Sequence, residues 1–276
     1  MSLLSEPLQF TPDAAVGGLQ PARVTLVGAG PGDPELLTVK AANALRNASL
    51  VLYDHLVSKA VLKLVPPGAD LVYVGKESGH HTLPQEGIID LMVRLARSGR
   101  RLVRLKGGDP YIFGRGGEEA QGLADAGVPF DVIPGISAAQ GAAAAAGIPL
   151  THRDHAEALV FATGHLRGEG SERGVDLDWP LLARPRQTVV IYMGVGTLPV
   201  ISAQLQAHGL AGDTPAALIE RATLPDQRTV VGTLATLPEL ARRHDVRAPA
   251  LIMIGTVVSV QREIGAVLPD SLLAMR

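Results

Sequence analysis

Apolar positions along the chain fall in short runs separated by longer amphipathic stretches, and this alternation predicts strands interleaved with helices. In the first half the runs predict strands over 23–27, 50–53, 70–74, 101–105 and 130–133, with helices over 35–46, 58–64, 85–98 and 118–126 between them. An Ala-rich helix over 137–146 opens the second half. Strands over 159–163, 188–192, 216–220, 229–233 and 250–254 follow, with helices over 199–208 and 238–243. Strands alternating with helices predict an α/β fold on a mostly parallel sheet. The unbroken apolar runs Leu159-Val160-Phe161 and Leu251-Ile252-Met253-Ile254 predict strands buried on both faces. Residues 1–20 lack a period and read as a loose tail. Pro134-Gly135 punctuates the middle and divides an N-terminal α/β domain, 21–136, from a C-terminal one, 137–276.

Composition narrows the chemistry. Apolar residues make up 46% of 276 positions, enough for a sizeable core, while aromatics are only 3%. So few aromatics argue against base-stacking platforms for nucleic acid, and a net charge of −2 gives no pull toward nucleic acid or anionic membrane. An acidic substrate therefore needs a local Arg/Lys cluster. The absence of Cys excludes disulfides, thiolate nucleophiles and Cys-based metal sites. No basic region followed by an apolar run opens the chain, and no stretch approaches the roughly 20 apolar residues of a membrane span. A cytoplasmic protein is the expectation. His80-His81 and His152…His155 lack a convergent carboxylate set, so no metal site is expected.

Two glycine-rich loops stand out. Gly28-Ala29-Gly30-Pro31-Gly32 follows a strand, like a dinucleotide fingerprint. Pro31 removes a backbone donor, however, and the sixth position is Asp33, whose carboxylate would repel a pyrophosphate. The loop suits an uncharged or cationic ligand approached closely by backbone, the alternative being a purely structural turn. Residues 107–117 hold a second cluster, Gly107, Gly108, Gly114, Gly116 and Gly117, which marks backbone fitted tightly around something. Asp109 there either accepts hydrogen bonds from a ligand or caps a turn with Pro110.

Several charged residues lie near these loops. Asp54 follows an apolar strand, where a side chain can project into a cleft, and equally could cap the next segment. Arg115 can pair bidentately with a carboxylate. Glu118 either orients Arg115 or favours the start of the next helix. Arg153 either binds a carboxylate or pairs with Asp154. Lys76 reads as an exposed lysine, and Arg100, Arg101, Arg104 and Lys106 read in part as a solvated strand edge.

Together these segments resemble the tetrapyrrole methylase family. The resemblance is carried by Val27 to Pro34, Tyr53-Asp54-His55-Leu56-Val57-Ser58, Val74-Gly75-Lys76, Arg104 to Glu119 and Ile133 to Ala139. Gly147 to Arg153, Tyr192-Met193-Gly194 and Pro249-Ala250-Leu251-Ile252 complete it, in order over about 21–260. It implies two α/β domains of the class III methyltransferase type, usually homodimeric, with the active site in the cleft between them. It implies S-adenosylmethionine (SAM) as cofactor, leaving as S-adenosylhomocysteine, and no metal. Contacts to SAM would fall on Pro31, Gly107, Gly108, Asp109, Ile112, Ser137, Ala138, Met193, Ala222 and Ala250. Carbonyls of 107–109 would suit its ammonium end. The implied reaction is methylation of uroporphyrinogen III at C2 and C7, giving precorrin-2 for porphyrin, cobalamin and sirohaem biosynthesis. Asp54 would be the general base and Lys76 a proton donor, with Arg115, Glu118 and Arg153 toward the acidic macrocycle. The alternatives are a methyltransferase of a later corrin precursor and a non-catalytic SAM- or nucleotide-binding protein. His55 stands where the family often has Arg, and Ser137 where it often has Thr. No further catalytic domain is expected before residue 21, so the likeness is expected to be to the stand-alone members.

Overall fold

The computed structural model describes residues 22–75, 83–165 and 174–265. Two five-stranded sheets organise it, one in each half of the chain.

The first sheet contains β1 (Val24–Gly28), β2 (Leu50–Tyr53), β3 (Asp70–Tyr73), β4 (Leu102–Lys106) and β5 (Phe130–Ile133), in the order β3-β2-β4-β1-β5. Every pairing is parallel. Parallel neighbours need crossover helices, and these are α1 (Val39–Arg46), α2 (Lys59–Leu62), α3 (Gln85–Arg97) and α4 (Gly116–Asp125). Leu26, Leu50 and Leu52 pack with α3 and α4 on one face, and Val27, Val51 and Leu105 pack with α1 and α2 on the other. The helix expected from residue 35 begins later. Pro34–Leu36 forms a 3-10 turn, Leu37 is extended, and the Thr38 hydroxyl caps α1 by accepting from the Ala41 N–H. The helix expected over 58–64 shrinks to α2, capped by Ser58.

The second sheet departs from the parallel expectation. Its strands are β6 (Ala158–Thr163), β7 (Gln187–Tyr192), β8 (Pro215–Glu220), β9 (Arg228–Thr233) and β10 (Ala250–Ile254), ordered β6-β7-β10-β8-β9. Only β6–β7 is parallel. The reason is connectivity: β8 and β9 are joined by a short link that permits only antiparallel pairing. β10 is central and buried as its apolar run predicts, whereas β6 is an edge strand and Leu159 is exposed. Around this sheet lie α5 (Ala138–Ala146), α6 (Trp179–Leu182), α7 (Leu198–Ala207), α8 (Leu237–Arg243) and α9 (Val257–Gly265). The hydrophobic pattern did not single out α6 or α9.

One of the two cores of this sheet lies at the junction of the halves. Ala139, Ala142 and Ala143 of α5, Tyr192 of β7 and Met253 of β10 pack there, and Ile112, contributed by the first half, packs against them.

Candidate active site

All five parallel strands end on one side of the first sheet, where open α/β sheets hold their ligands. The segments leaving β1, β4 and β5 meet there backbone to backbone. The Ala29 N–H donates to the Lys106 carbonyl (2.7 Å), and Gly30 and Gly108 exchange two bonds (3.2 and 2.7 Å). A Cβ on Gly28 would stand 2.5 Å from the Gly135 nitrogen, and one on Gly135 would overlap the Gly108 carbonyl. Three of the glycines read as closely fitted to a ligand are thus fitted to one another. Neighbouring parallel strands bring their C-terminal loops together, and only residues without Cβ allow this approach.

Asp109 is committed to that junction. Its carboxylate accepts from the Tyr111 N–H (2.8 Å) and the Gly135 N–H (3.0 Å), so the turn-forming alternative describes its side chain. The Gly107 carbonyl, by contrast, accepts no bond from a described residue and remains available to a cationic group. Beyond Asp109 the loop crosses to the second half. Ile112 packs beside Ala138 and Ala222, and the Phe113 ring lies 4.8 Å from that of Tyr192. The first glycine loop crosses as well. Pro31 fills the space that Gly141 leaves on α5, Leu224 covers Gly32, and the Asp33 N–H donates to the Thr223 hydroxyl (3.2 Å). Ser137 is buried and caps α5, accepting from the Gln140 N–H, while the Gln140 side chain accepts from the Ser137 N–H.

Five non-glycine residues around these loops have left-handed backbone: Phe113, Arg115, Met193, Arg221 and Thr223. Such conformations are unfavourable and tend to gather at functional sites. Met193 is thereby turned outward and is half exposed. The Tyr192 phenol, which accepts from the Ala139 N–H (3.1 Å), is pushed above its usual range by burial. Pro31, Gly107, Gly108, Ile112, Ser137, Ala138, Met193 and Ala222 are therefore brought to one seam. Ala250 is not: its side chain packs into the core on the other face of the second sheet.

Below the seam lies a polar floor. Asp54, just past β2, accepts from the Leu56 N–H (3.2 Å), which is the capping role, and also pairs with Arg104 Nη2 (3.3 Å). Arg104 and Lys106 are buried, correcting the solvated-edge reading. β4 is an interior strand flanked by β1 and β2, so both faces are covered. Both cations converge on Glu119 Oε1, Arg104 Nε at 3.1 Å and Lys106 Nζ at 2.9 Å, and Gln85 Nε2 donates to the same atom (3.1 Å). Burial, and then the Arg104 charge, hold the Lys106 ammonium below the usual lysine range. Glu119 was missed at the sequence level. The signal was present: Gly116, Glu119, Ala120 and Leu123 form one buried helical face, and two buried cations on β4 require an acid opposite them.

At the rim, Arg115 and Glu118 form a bidentate pair (2.9 and 2.5 Å), each about half exposed. The pair raises the Arg115 pKa and lowers that of Glu118. Arg153 lies on the exposed turn after α5. Its guanidinium is bonded to no described residue, and Asp154 lies instead near the His152 ring (4.0 Å). Lys76, His80 and His81 lie outside the described residues. Gly75 lies against the turn that holds Asp54, since a Cβ on it would come 2.9 Å from the His55 nitrogen. Among the described residues no group of three or more metal-ligating side chains is assembled, and no helix is long and apolar enough to cross a membrane.

Comparison with known proteins places this architecture. A siroheme synthase from Thioalkalivibrio sulfidiphilus is 55% identical over 241 residues, covering 87% of this chain but 48% of that protein. The chain thus spans about half the length of the curated relatives it matches. The crystal structure of uroporphyrin-III C-methyl transferase from Thermus thermophilus complexed with S-adenyl homocysteine superposes with a TM-score of 0.74 at 44% identity, covering 87% of this chain and all of that one. A cobalt precorrin-4 methyltransferase superposes with the same TM-score at 30% identity, over 86% and 95% of the two chains. The signature of Tetrapyrrole (Corrin/Porphyrin) Methylases matches residues 23–238, and the chain belongs to this family.

Proposed function

We propose that the chain is a SAM-dependent C-methyltransferase that converts uroporphyrinogen III to precorrin-2 by successive methylation at C2 and C7. The observation that carries this reading is the meeting of an apolar seam with a carboxylate floor at the junction of the halves. The 44% identity to a uroporphyrin-III enzyme, against 30% to a precorrin-4 enzyme, supports the substrate. We place the domain boundary at 136/137, between the two sheets, and expect a cytoplasmic homodimer.

The donor set suits SAM. Ile112, Ala138 and Ala222 offer an apolar surface, Met193 stands exposed beside it, and the Gly107 carbonyl offers an acceptor for a cation. Bound SAM supplies an electrophilic methyl group, so the protein's own task is alignment and proton management. Arg115, and Arg153, whose guanidinium is bonded to no described residue, would hold carboxylates of the macrocycle. Methyl transfer to a pyrrole carbon leaves a cationic macrocycle, and Asp54, partly open at the cleft, takes up the proton it must lose. Lys76 is proposed to return protons during the cycle, and His55 to face substrate. Incubation with uroporphyrinogen III and SAM, followed by mass measurement, is the test. A product with two added methyl groups is expected, and an unmodified macrocycle would overturn the reading. NAD displacing SAM would favour a dinucleotide-binding protein instead.

A further inference from the structure

We propose that Arg104 is a positioning residue that fixes the Asp54 carboxylate at the cleft edge, with Glu119 acting as its anchor. The inference rests on Asp54 being the base. Arg104 is buried on β4, and each of its guanidinium nitrogens has one assignment. Nε donates to Glu119 Oε1 (3.1 Å), Nη1 to the Leu105 carbonyl (3.0 Å) and Nη2 to Asp54 Oδ2 (3.3 Å). A planar fork held at two corners has no freedom to turn its third. The direction of the third corner is therefore set by β4 and α4, not by Asp54.

Asp54 has fewer restraints of its own. Its other oxygen is held by the Leu56 N–H within a short turn, and the carboxylate is 19% exposed against 4% for Arg104. The gradient from Glu119, fully enclosed, through Arg104 to Asp54 runs outward toward the cleft. Lys106 shares Glu119 Oε1 but bonds no atom of Asp54, so it balances charge without aiming the base. Because Lys106 still neutralises Glu119 when Arg104 is replaced, the charge left without its ion-pair partner is that of Asp54, which is partly open at the cleft. A side chain that aims another acts on turnover and leaves cofactor binding alone.

The experiment is a double-mutant cycle on the intact chain with Arg104→Met and Asp54→Asn. R104M is expected to lower kcat by about tenfold to a hundredfold, with SAM affinity and the KM for the macrocycle within about twofold of the parent. In the D54N background the same replacement is expected to change kcat by less than about twofold, because nothing is left to position. Unchanged kcat for R104M beside a slow D54N would overturn the proposal and leave the base assignment intact. An equal loss from R104M in both backgrounds would overturn it too. A D54N protein as fast as the parent would instead remove the base assignment. Should R104M fail to fold, Arg104→Lys retains the charge without the three-cornered fork, and the same comparison decides the case.

Discussion

The two surfaces that meet at the cleft are built on opposite principles. The floor at β4 gathers four charged groups, of which Arg104, Lys106 and Glu119 are buried and Asp54 is partly open at the cleft. The seam above it is lined largely by apolar side chains, Ile112, Ala138, Ala222 and Phe113, with the Tyr192 ring packed among them. Buried ion pairs stabilise a fold poorly, because desolvation offsets their attraction, but each member fixes the others in direction. Apolar surfaces stabilise through area and hold partners less exactly in angle. The contrast teaches a division of labour. The floor supplies direction for a proton-handling carboxylate, and the seam supplies shape for a largely apolar ligand face, its loops bent by left-handed residues instead of by charges.

Emptying the floor has the largest expected effect on stability. Glu119→Ala removes the acceptor shared by Arg104, Lys106 and Gln85 and leaves two interior cations facing only Asp54. A loss of about 3–5 kcal/mol is expected, read as a lowered midpoint in urea denaturation. A variant as stable as the parent would show that the four charges do not act as a unit. One polar atom of the floor, Glu119 Oε2, has no partner among the described residues, and this desolvation cost offsets part of what the cluster contributes.

The junction between floor and seam comes next. Gly135→Ala drives a methyl group into the Gly108 carbonyl and the Gly28 backbone, and these segments cannot all be retained in place. About 1–3 kcal/mol of stability and most of the SAM affinity are expected to be lost, measured by thermal melting and calorimetric titration. Gly117→Ala is the matched control, since its Cβ meets nothing within 4 Å. Equal behaviour of the two variants would break the argument that close backbone packing, and not glycine content, builds the site.

How much of this was legible in the sequence differs between the regions for physical reasons. The parallel sheet of the first half follows from period and length, because buried strands and amphipathic helices leave distinct patterns. The antiparallel pairings of the second half do not, since apolar runs such as Leu251 to Ile254 report burial and not direction. Family motifs pointed to Ile112, Ala138, Ala222 and Met193, which the structure gathers at one seam, and to Ala250, whose side chain alternates to the far face. Arg104 and Lys106 read as solvated because charge is normally exposed; only the order β2-β4-β1 makes β4 interior, and strand order is invisible in local pattern. The role of Asp109 was undecidable for the same reason, since its partner Gly135 lies 26 residues away on another loop.

A subtler probe of the seam is Tyr192→Phe, which keeps the ring against Phe113 and Phe161 and removes the acceptor for the Ala139 N–H. About 0.5–1.5 kcal/mol of destabilisation is expected. The pH dependence sharpens the test. Burial raises the folded-state pKa of this phenol above its reference of 10.0, so the folded chain keeps a proton that the unfolded chain releases. The corresponding stability is complete below pH 10 and is lost as pH rises through the folded value. Tyrosinate absorbance should therefore show a late component in the parent that Y192F lacks, and identical titrations of the two proteins would refute the burial.

The smallest effect on stability is expected at the rim, where it separates structure from binding. Arg115 and Glu118 are each about half exposed, and solvent screens their attraction, so Glu118→Gln should cost no more than about 0.5 kcal/mol near neutral pH. The Glu118 carboxyl is held below its usual range by the Arg115 hydrogen bond. What stability the pair gives is present above pH 4.5 and fades as pH falls through the lowered value. Arg115→Gln should be equally mild in melting experiments, yet if the rim receives substrate carboxylates it raises the KM for uroporphyrinogen III by about tenfold. Added salt should narrow that gap, because exposed charges are screened within about 10 Å at 0.1 M ionic strength. Unchanged KM in R115Q at low salt would move carboxylate recognition away from this loop and toward Arg153, whose guanidinium is bonded to no described residue.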